Sequence, residues 1–233
     1  MTRAAPDFIL LTHRYKEHVL RLTVPTGEAF LIGDVFVRNE YPLTRLKGVF
    51  RNPVVVDIGA NVGLFSLYIH LNIPAAIIHS FEPSASLCGA MRANLAGCAN
   101  VHVHSVALAD HDGQACLHLN TSKAGQSSLK DVSAEQAAGW VDEEVCVRDA
   151  GTMFDELGID SVDILKLDTE GSEIEILQSM GHRLEAVKHM FVEYHSDADL
   201  SIIRTLLENF TELSHDRRGE GVGVLRLMHK RFC

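Results

Sequence analysis

Cysteine is scarce in this sequence, and its pattern argues against a disulfide-stabilised protein. The 233 residues include five cysteines, and no two of them form a C-x-x-C pair: Cys88, Cys98, Cys116, Cys146 and Cys233. An odd number of cysteines without paired spacing is typical of reduced thiols. We therefore expect a cytoplasmic protein that folds without disulfide bonds.

Long basic runs and long apolar runs are also absent. No run of Lys and Arg exceeds two residues and the formal net charge is -10, whereas a nucleic-acid partner requires a basic face. No apolar stretch approaches the roughly 18 residues of a membrane span. Charged residues interrupt the first 30 positions, which argues against a signal peptide. We expect no nucleic-acid partner, no membrane span and a cytoplasmic location.

The remaining composition is that of one large globular domain with a smaller segment before it. Hydrophobic residues make up 46% of the chain and charged residues 22%, which are ordinary values for a soluble globular protein. Short apolar runs with a turn-like Pro25-Thr26-Gly27 among them predict a small β-rich segment within residues 1–50. Those runs lie at residues 8–11, 19–24 and 29–32.

From residue 51 onward, apolar runs alternate with helical patterns. The apolar runs predict buried strands at residues 54–58, 76–81, 101–106, 162–167 and 187–192. Helical spacing predicts helices at residues 63–71, 84–95, 152–157, 172–180 and 200–208. A terminal hairpin is predicted from residues 210–215 and 222–228. This order predicts an α/β domain over residues 51–233, doubly wound around a mostly parallel sheet.

Residues 113–148 depart from that alternation. Two strand-like pieces, 115–119 and 144–148, flank a polar stretch at residues 121–128. We interpret the segment as an insertion that forms a loop or lid. Polar side chains of this stretch, such as Gln126 and Ser127, either contact a ligand or face solvent.

A glycine turn joins the first strand of this domain to its first helix. The run from Asp57 to Gly63 has the spacing G-x-x-x-G, whereas a dinucleotide site needs G-x-G-x-x-G. Glycine at Gly59 lets the backbone turn sharply and lets a ligand approach closely. Asp57 would repel a pyrophosphate but suits a ligand with an amino group, as in S-adenosylmethionine. The alternative is a turn whose glycines only permit packing.

Acidic residues end two further strands. Glu82, followed by Pro83, ends the second strand, where a carboxylate accepts both hydroxyls of a ribose. Asp168 and Glu170 follow the fourth strand, at the edge where open α/β sheets bind ligands. These two either face the same cleft or cap the helix that follows.

Taken together, these runs resemble the FkbM family of class I S-adenosylmethionine-dependent methyltransferases. The resemblance is carried by residues 56–63, 81–83, 107–110 with Gly113, 165–173 and 192–195. It implies a Rossmann-like methyltransferase fold whose seven-stranded sheet has a reversed last strand. It also implies O-methylation of hydroxyls on natural products, sugars or lipids.

The resemblance also implies roles for individual residues. The turn would surround the methionine part of the cofactor with Asp57, Gly59, Ala60, Asn61 and Gly63. The ribose would lie on Glu82 beside Pro83, and the adenine beside Ser105, Val106 and Ala107. Asp168 and Glu170 would line the cleft near the sulfonium.

Transfer to a hydroxyl also needs a group that takes its proton. The first candidate for this base is His195, two residues after Glu193 at the end of the fifth strand, and the second is Asp168. A divalent metal held by Asp168, Glu193 and His195 is the alternative, although no clear metal-ligand spacing favours it.

The predicted function is methyl transfer from S-adenosylmethionine to a hydroxyl of a small molecule, natural product or glycoconjugate. N-methylation of an amine or peptide is the nearest enzymatic alternative. A catalytically silent cofactor-binding module is a second alternative. A nucleotide-dependent oxidoreductase is disfavoured because the dinucleotide glycine spacing is absent.

Overall fold

The N-terminal part is a β-hairpin followed by a short helix in the computed structural model, which describes residues 5–44, 51–130 and 140–233. Strands β1 (Phe8–Tyr15) and β2 (His18–Pro25) pair antiparallel, and a 3-10 turn (Thr26–Glu28) leads into helix α1 (Phe30–Phe36). The prediction of a strand at residues 29–32 was wrong. Ile32, Val35 and Phe36 are all buried, and this spacing is that of one helical face.

The first half of the main domain alternates strand and helix as predicted. It contains β3 (Val54–Ile58), α2 (Leu64–Asn72), β4 (Ile77–Phe81), α3 (Ala85–Asn94) and β5 (Val101–His104). The predicted third strand ends two residues early, at His104. The chain leaves the sheet there, and Val106 joins the apolar core of the opposite face.

The predicted insertion contains a hairpin and belongs to a second, smaller sheet. Strand β6 (Ala107–Ala109) pairs parallel with β8 (Trp140–Asp149), which pairs antiparallel with β7 (Gly113–Asn120). A 3-10 turn (Ala124–Gln126) lies in the polar stretch between β7 and β8. Residues 131–139 of the insertion, like residues 45–50 at the predicted domain boundary, lie outside the described residues.

The second half completes the main sheet. It contains α4 (Ala150–Glu156), β9 (Val162–Leu167), α5 (Glu173–Met180), β10 (Val187–Tyr194), α6 (Asp197–Leu206), β11 (Phe210–Arg217) and β12 (Gly223–His229). Helices α4 and α6 begin two and three residues earlier than predicted. Asp149 and Ser196 cap them, because each side chain accepts a hydrogen bond from a backbone N–H of the first turn.

Within the described residues, seven strands form the main sheet in the order β5-β4-β3-β9-β10-β12-β11. The neighbours from β5 to β10 pair parallel, and β12 runs antiparallel to both β10 and β11. This is the predicted doubly wound, Rossmann-like sheet with a reversed last strand. None of the described helices is long and apolar enough to cross a membrane.

Alternate side chains of the central strands enter two different cores. Val55 packs with α2 and α3, and the same core receives Leu22 and Val24 from the N-terminal hairpin. Val56 and Ile58 face the other side, where α4, α5 and α6 pack. Because both faces are covered, polar side chains gather at the carboxyl ends of β3, β4, β9 and β10.

Candidate functional site

A cleft of about 280 Å³ opens at the carboxyl ends of the central strands. Its floor is the turn after β3, and the ends of β4, β9 and β10 contribute its polar groups. The stretch between β7 and β8 and the N-terminal segment complete its walls. The size and the mixture of apolar and convergent polar groups are those of a small-molecule site.

The turn after β3 follows a path that requires glycine. Gly59 has a φ of +76°, and a Cβ there would lie 1.6 Å from the carbonyl oxygen of Asp168. The N–H groups of Gly59 and Ala60 both donate to the carbonyl of Phe81, at 3.0 and 2.9 Å. This path brings Gly59, Ala60 and Asn61 to the cleft surface. The turn can therefore approach a ligand with bare backbone.

Gly63, the second glycine of the motif, serves packing. Its φ is +78°, and a Cβ there would lie 2.8 Å from Cγ of Met91 on α3. It does not line the cleft, so this glycine permits packing and does not contact a ligand. Gly63 lets α2 begin close against α3.

Asp57 lies beneath the cleft floor and does not line it. Its side chain is fully buried, it accepts a 2.7 Å hydrogen bond from Ser66 Oγ, and it lies 3.4 Å from Lys166 Nζ. Asp57 and Lys166 are register partners on β3 and β9. Burial raises the pKa of Asp57, although Lys166 opposes that change. The predicted contact with a ligand amino group is therefore replaced by a contact with the amine of Lys166.

Lys166 links the turn after β3, which forms the floor of the cleft, to the end of the cleft where Asp168 and Glu193 lie; this end is called the reactive end below. Its Nζ donates to the carbonyl of Gly59 at 2.9 Å and lies 3.3 Å from Asp168 Oδ2. Burial alone would lower the pKa of Lys166, but Asp168 and Asp57 outweigh burial and raise it. The amine is therefore a fixed positive charge between two carboxylates.

Glu82 and Pro83 line the cleft at the end of β4, as the sequence predicts. The Glu82 carboxylate accepts the N–H of Asn61 at 3.0 Å and the N–H of Ser84 at 2.9 Å, one on each oxygen. Burial raises the pKa of Glu82 to about 7, although both donors lower it. Each oxygen keeps a further lone pair that can accept a ligand hydroxyl.

The segment after β5 contributes two of its three predicted residues. Val106 and Ala107 line the cleft, whereas Ser105 does not. Ser105 Oγ instead accepts a 2.6 Å hydrogen bond from Arg92.

Asp168 and Glu193 meet at the reactive end of the cleft, which both residues line. Each of the two carboxyl groups changes the pKa of the other. Burial and the nearby Asp168 raise the pKa of Glu193 to about 9, although Arg218 lowers it from a distance of 3.2 Å between its guanidinium and Glu193 Oε1. Burial alone would raise the pKa of Asp168, but Lys166 and Glu193 bring it below its ordinary value. Asp168 is therefore the stronger acid of the two and Glu193 the weaker.

His195, the first candidate for the base, does not line the cleft. It lies between Glu170 and Glu173, with 3.4 Å from Nδ1 to Glu170 Oε2 and 3.4 Å from Nε2 to Glu173 Oε1. Burial lowers the pKa of His195, but these carboxylates outweigh burial and raise it to about 9. A histidine that is already protonated cannot accept a proton from a substrate.

Glu170 lines the cleft, as predicted, and has a left-handed φ of +57°. Burial and the charge of Asp168 raise the pKa of Glu170 to about 7. Glu173 accepts the backbone N–H groups of Thr169 and Gly171 at 2.7 and 3.0 Å and so fixes the loop before α5, whose first turn has no side-chain cap.

The proposed metal set of Asp168, Glu193 and His195 does not fit the arrangement of these residues. His195 does not line the cleft and lies between Glu170 and Glu173 instead. Among the described residues, the cluster with metal-ligand atoms within 4.8 Å of one another is Cys116, His118 and Asp142, on β7 and β8.

Several cleft residues were not predicted from the sequence. Two of them are charged residues from segments far apart in the sequence, Glu40 and Arg218. Arg218 forms salt bridges with both Glu40 and Glu193. Glu28 and Tyr41 also line the cleft from the N-terminal segment. Of these residues, only Lys166 could be recognised from the sequence. A lysine between Leu165 and Leu167 in a buried strand needs acidic or hydrogen-bonding partners, because burying an unpaired charge is unfavourable.

Comparison with known proteins gives one family and several relatives. The model of the methyltransferase FkbM domain matches residues 57–214. The methyltransferase sdnD of Sordaria araneosa is 28% identical over 193 residues, covering 70% of this chain and 73% of the relative. The 2-O-methyltransferase NoeI of Sinorhizobium fredii is 26% identical over 195 residues, covering 75% and 79%.

A solved structure has the same fold. The crystal structure of methyltransferase FkbM from Methylobacillus flagellatus has a TM-score of 0.52 and 14% identity. The match covers 78% of this chain but only 45% of that one. This similarity supports the fold of the domain and leaves its substrate open.

Proposed function

This chain belongs to the FkbM family of methyltransferases, and we propose that it transfers a methyl group from S-adenosylmethionine to a hydroxyl oxygen. The proposed acceptor is a small molecule, a natural product or a glycoconjugate. The observation that carries this proposal is one continuous cleft that both Glu82 and Asp168 line. The similarity to a 2-O-methyltransferase supports oxygen as the methylated atom.

The cleft residues fit the proposed cofactor. Glu82 retains lone pairs for two ribose hydroxyls, and Val106 and Pro83 offer apolar surface beside it. The turn at Gly59 allows close approach of the methionine part. When bound, S-adenosylmethionine supplies a methyl group that is already activated as a sulfonium.

Asp168 is the proposed proton acceptor. It would take the acceptor's hydroxyl proton as the oxygen–carbon bond forms and the carbon–sulfur bond breaks, leaving the electron pair on sulfur. The neighbouring Glu193, whose pKa is raised to about 9 by burial and by Asp168, would donate a hydrogen bond to Asp168 and so fix the orientation of its carboxylate. Lys166 and Arg218 hold the two acids in place through ion pairs. Besides accepting the proton, the protein would speed the reaction by aligning the hydroxyl oxygen, the methyl group and the sulfur.

We also propose that residues 1–50 are packed on the methyltransferase domain of residues 51–233. Leu22 and Val24 share a core with Leu87, and the N–H of Thr23 donates to Asn94 Oδ1 at 2.7 Å. These contacts support a single folding unit.

Calorimetry and turnover test the proposed function in two steps. Titration with S-adenosylmethionine should show one site, and titration with NAD should show none. Formation of S-adenosylhomocysteine should then require a hydroxylated acceptor. Turnover only with amines would indicate N-methylation, and binding without turnover on any acceptor in a broad extract would indicate a silent module. Absence of S-adenosylmethionine binding would contradict the proposal.

A further inference from the structure

One wall of the cleft is a strap, which we define as residues 121–129 after β7. Five of its residues line the cleft: Ala124, Gly125, Gln126, Ser127 and Leu129. Since the turn after β3 forms the floor of the same cleft, the position of the strap decides how enclosed a ligand on that turn becomes.

Glu28 links the strap to the floor with one carboxylate. Its Oε1 accepts the backbone N–H of Gly125, and its Oε2 accepts a hydrogen bond from Asn61 Nδ2 at 3.3 Å. Glu28 is only 3% exposed. Three separate segments therefore meet at this side chain: the N-terminal 3-10 turn, the turn after β3 and the strap.

The far end of the strap is fixed to the reactive end of the cleft. Ser128 Oγ donates to the carbonyl oxygen of Glu170 at 2.7 Å. The strap is thus held at its middle by Glu28 and near its C-terminal end by the loop after β9.

Two glycines make the contact between the strap and the N-terminal turn possible. A Cβ at Gly27 would lie 2.0 Å from the carbonyl oxygen of Ser122. A Cβ at Gly125 would lie 2.9 Å from Glu28 Oε1 and 3.2 Å from Asn61 Nδ2. The two backbones therefore touch at a distance that leaves no room for a side chain.

Stability alone does not explain an acid at this position. Burying a carboxylate without an opposite charge is unfavourable, and no Lys or Arg in the described ranges forms a salt bridge with Glu28. Its contacts are hydrogen bonds from groups that belong to the cleft. This indicates a role in shaping the cleft.

We propose that Glu28 is a positioning residue that latches the strap over the cofactor, so that the N-terminal turn sets how long the cofactor stays bound. This proposal rests on the proposed function, since it takes S-adenosylmethionine as the occupant. The latch itself is a property of the chain and can be measured without a ligand.

The test uses three substitutions and a matched control. Glu28→Ala removes both acceptors, whereas Glu28→Gln keeps one acceptor for Gly125 and lets Asn61 reverse its amide. Gly27→Ala pushes the strap away without changing any charge. Gly33→Ala in α1 is the control, because a Cβ there meets nothing within 4 Å. Hydrogen exchange of peptides that cover residues 121–129 and the dissociation rate of S-adenosylmethionine are measured for each folded variant.

We expect Glu28→Ala and Gly27→Ala to speed exchange in the strap and to raise the dissociation rate by about tenfold or more. Glu28→Gln should lie close to the unmodified protein, and Gly33→Ala should match it. Unchanged exchange in both Glu28→Ala and Gly27→Ala would overturn the latch. Faster exchange with an unchanged dissociation rate would overturn its role in holding the cofactor. Absence of binding in the unmodified protein would contradict the proposed function, and the exchange data would still test the latch.

Discussion

Asp168 and Glu193 differ in acidity although both line the same cleft, at the ends of the neighbouring strands β9 and β10. Burial and Asp168 raise the pKa of Glu193 to about 9, while Lys166 and Glu193 outweigh burial and lower the pKa of Asp168. Two carboxyl groups whose environments separate their protonation states in this way are typical of an acid–base site. In the proposed mechanism, Asp168 accepts the proton and Glu193 holds the Asp168 carboxylate in position.

Asp168→Asn tests the proton acceptor. The amide keeps the shape but cannot take a proton, so we expect kcat to fall by about 10²–10⁴-fold, with a smaller change in cofactor affinity. Asp160→Asn, an exposed change before the same strand, is the matched control. Steady-state kinetics and calorimetry with S-adenosylmethionine measure both effects. Unchanged kcat in Asp168→Asn would leave alignment as the catalytic device.

His195 should make stability depend on pH above neutrality. Its pKa is raised from 6.5 to about 9 in the folded protein by Glu173 and Glu170, against burial. The folded state keeps the proton after the unfolded state has lost it, so this contribution is complete below pH 6.5 and disappears as pH rises through about 9.

Urea unfolding of the unmodified protein and of His195→Gln, over that pH range, measures this effect. The difference in their free energies of unfolding should be largest at the acidic end and should shrink toward the alkaline end. A difference that grows with pH would contradict the assignment of His195 as an imidazolium.

Gly59→Ala should destabilise the fold as well as the site. The φ of +76° alone costs a side chain about 1–2 kcal/mol, and crowding against the Asp168 carbonyl adds about 1–3 kcal/mol. Gly158→Ala is the control, because its φ is +65° but a Cβ there meets nothing within 4 Å. Urea unfolding should show a clearly larger loss for Gly59→Ala. Equal losses at the two positions would mean that the turn after β3 relaxes easily.

Glu82→Gln should weaken cofactor binding more than turnover. The amide group puts an N–H donor against one of the two backbone N–H donors, of Asn61 or Ser84, and removes the charge. We expect a KM for S-adenosylmethionine raised about tenfold or more and a smaller loss of kcat, because a ribose contact persists through the reaction. A normal KM with a low kcat would instead assign Glu82 to the chemistry.

The sequence predicts the main sheet well because its signals are local. The β-branched run ending at Asp57 and the glycine turn after it fix a strand, a turn and a helix within a few residues. The helix at Phe30–Phe36 was not predicted, because a short apolar run at residues 29–32 is also typical of a strand. Its helical spacing becomes visible only when Ile32, Val35 and Phe36 are considered together.

Side-chain direction at strand ends was harder to predict. His195 lies two residues beyond Glu193, which suggests a shared face, but β10 ends between them and the chain then turns toward α5. The partners from the N-terminal segment, Glu28 and Glu40, carry no local signal. They acquire their roles only when segments far apart in the sequence meet.

The family match begins at residue 57 and ends at residue 214, yet the cleft extends beyond both limits. Glu28, Glu40 and Tyr41 precede the matched region, and Arg218 follows it. A protein engineer who transplanted only the matched residues into a biosynthetic fusion would carry over the floor of the cleft and leave part of its walls behind. The portable unit for such a graft therefore includes the N-terminal segment from the 3-10 turn to Tyr41 and the terminal strand pair.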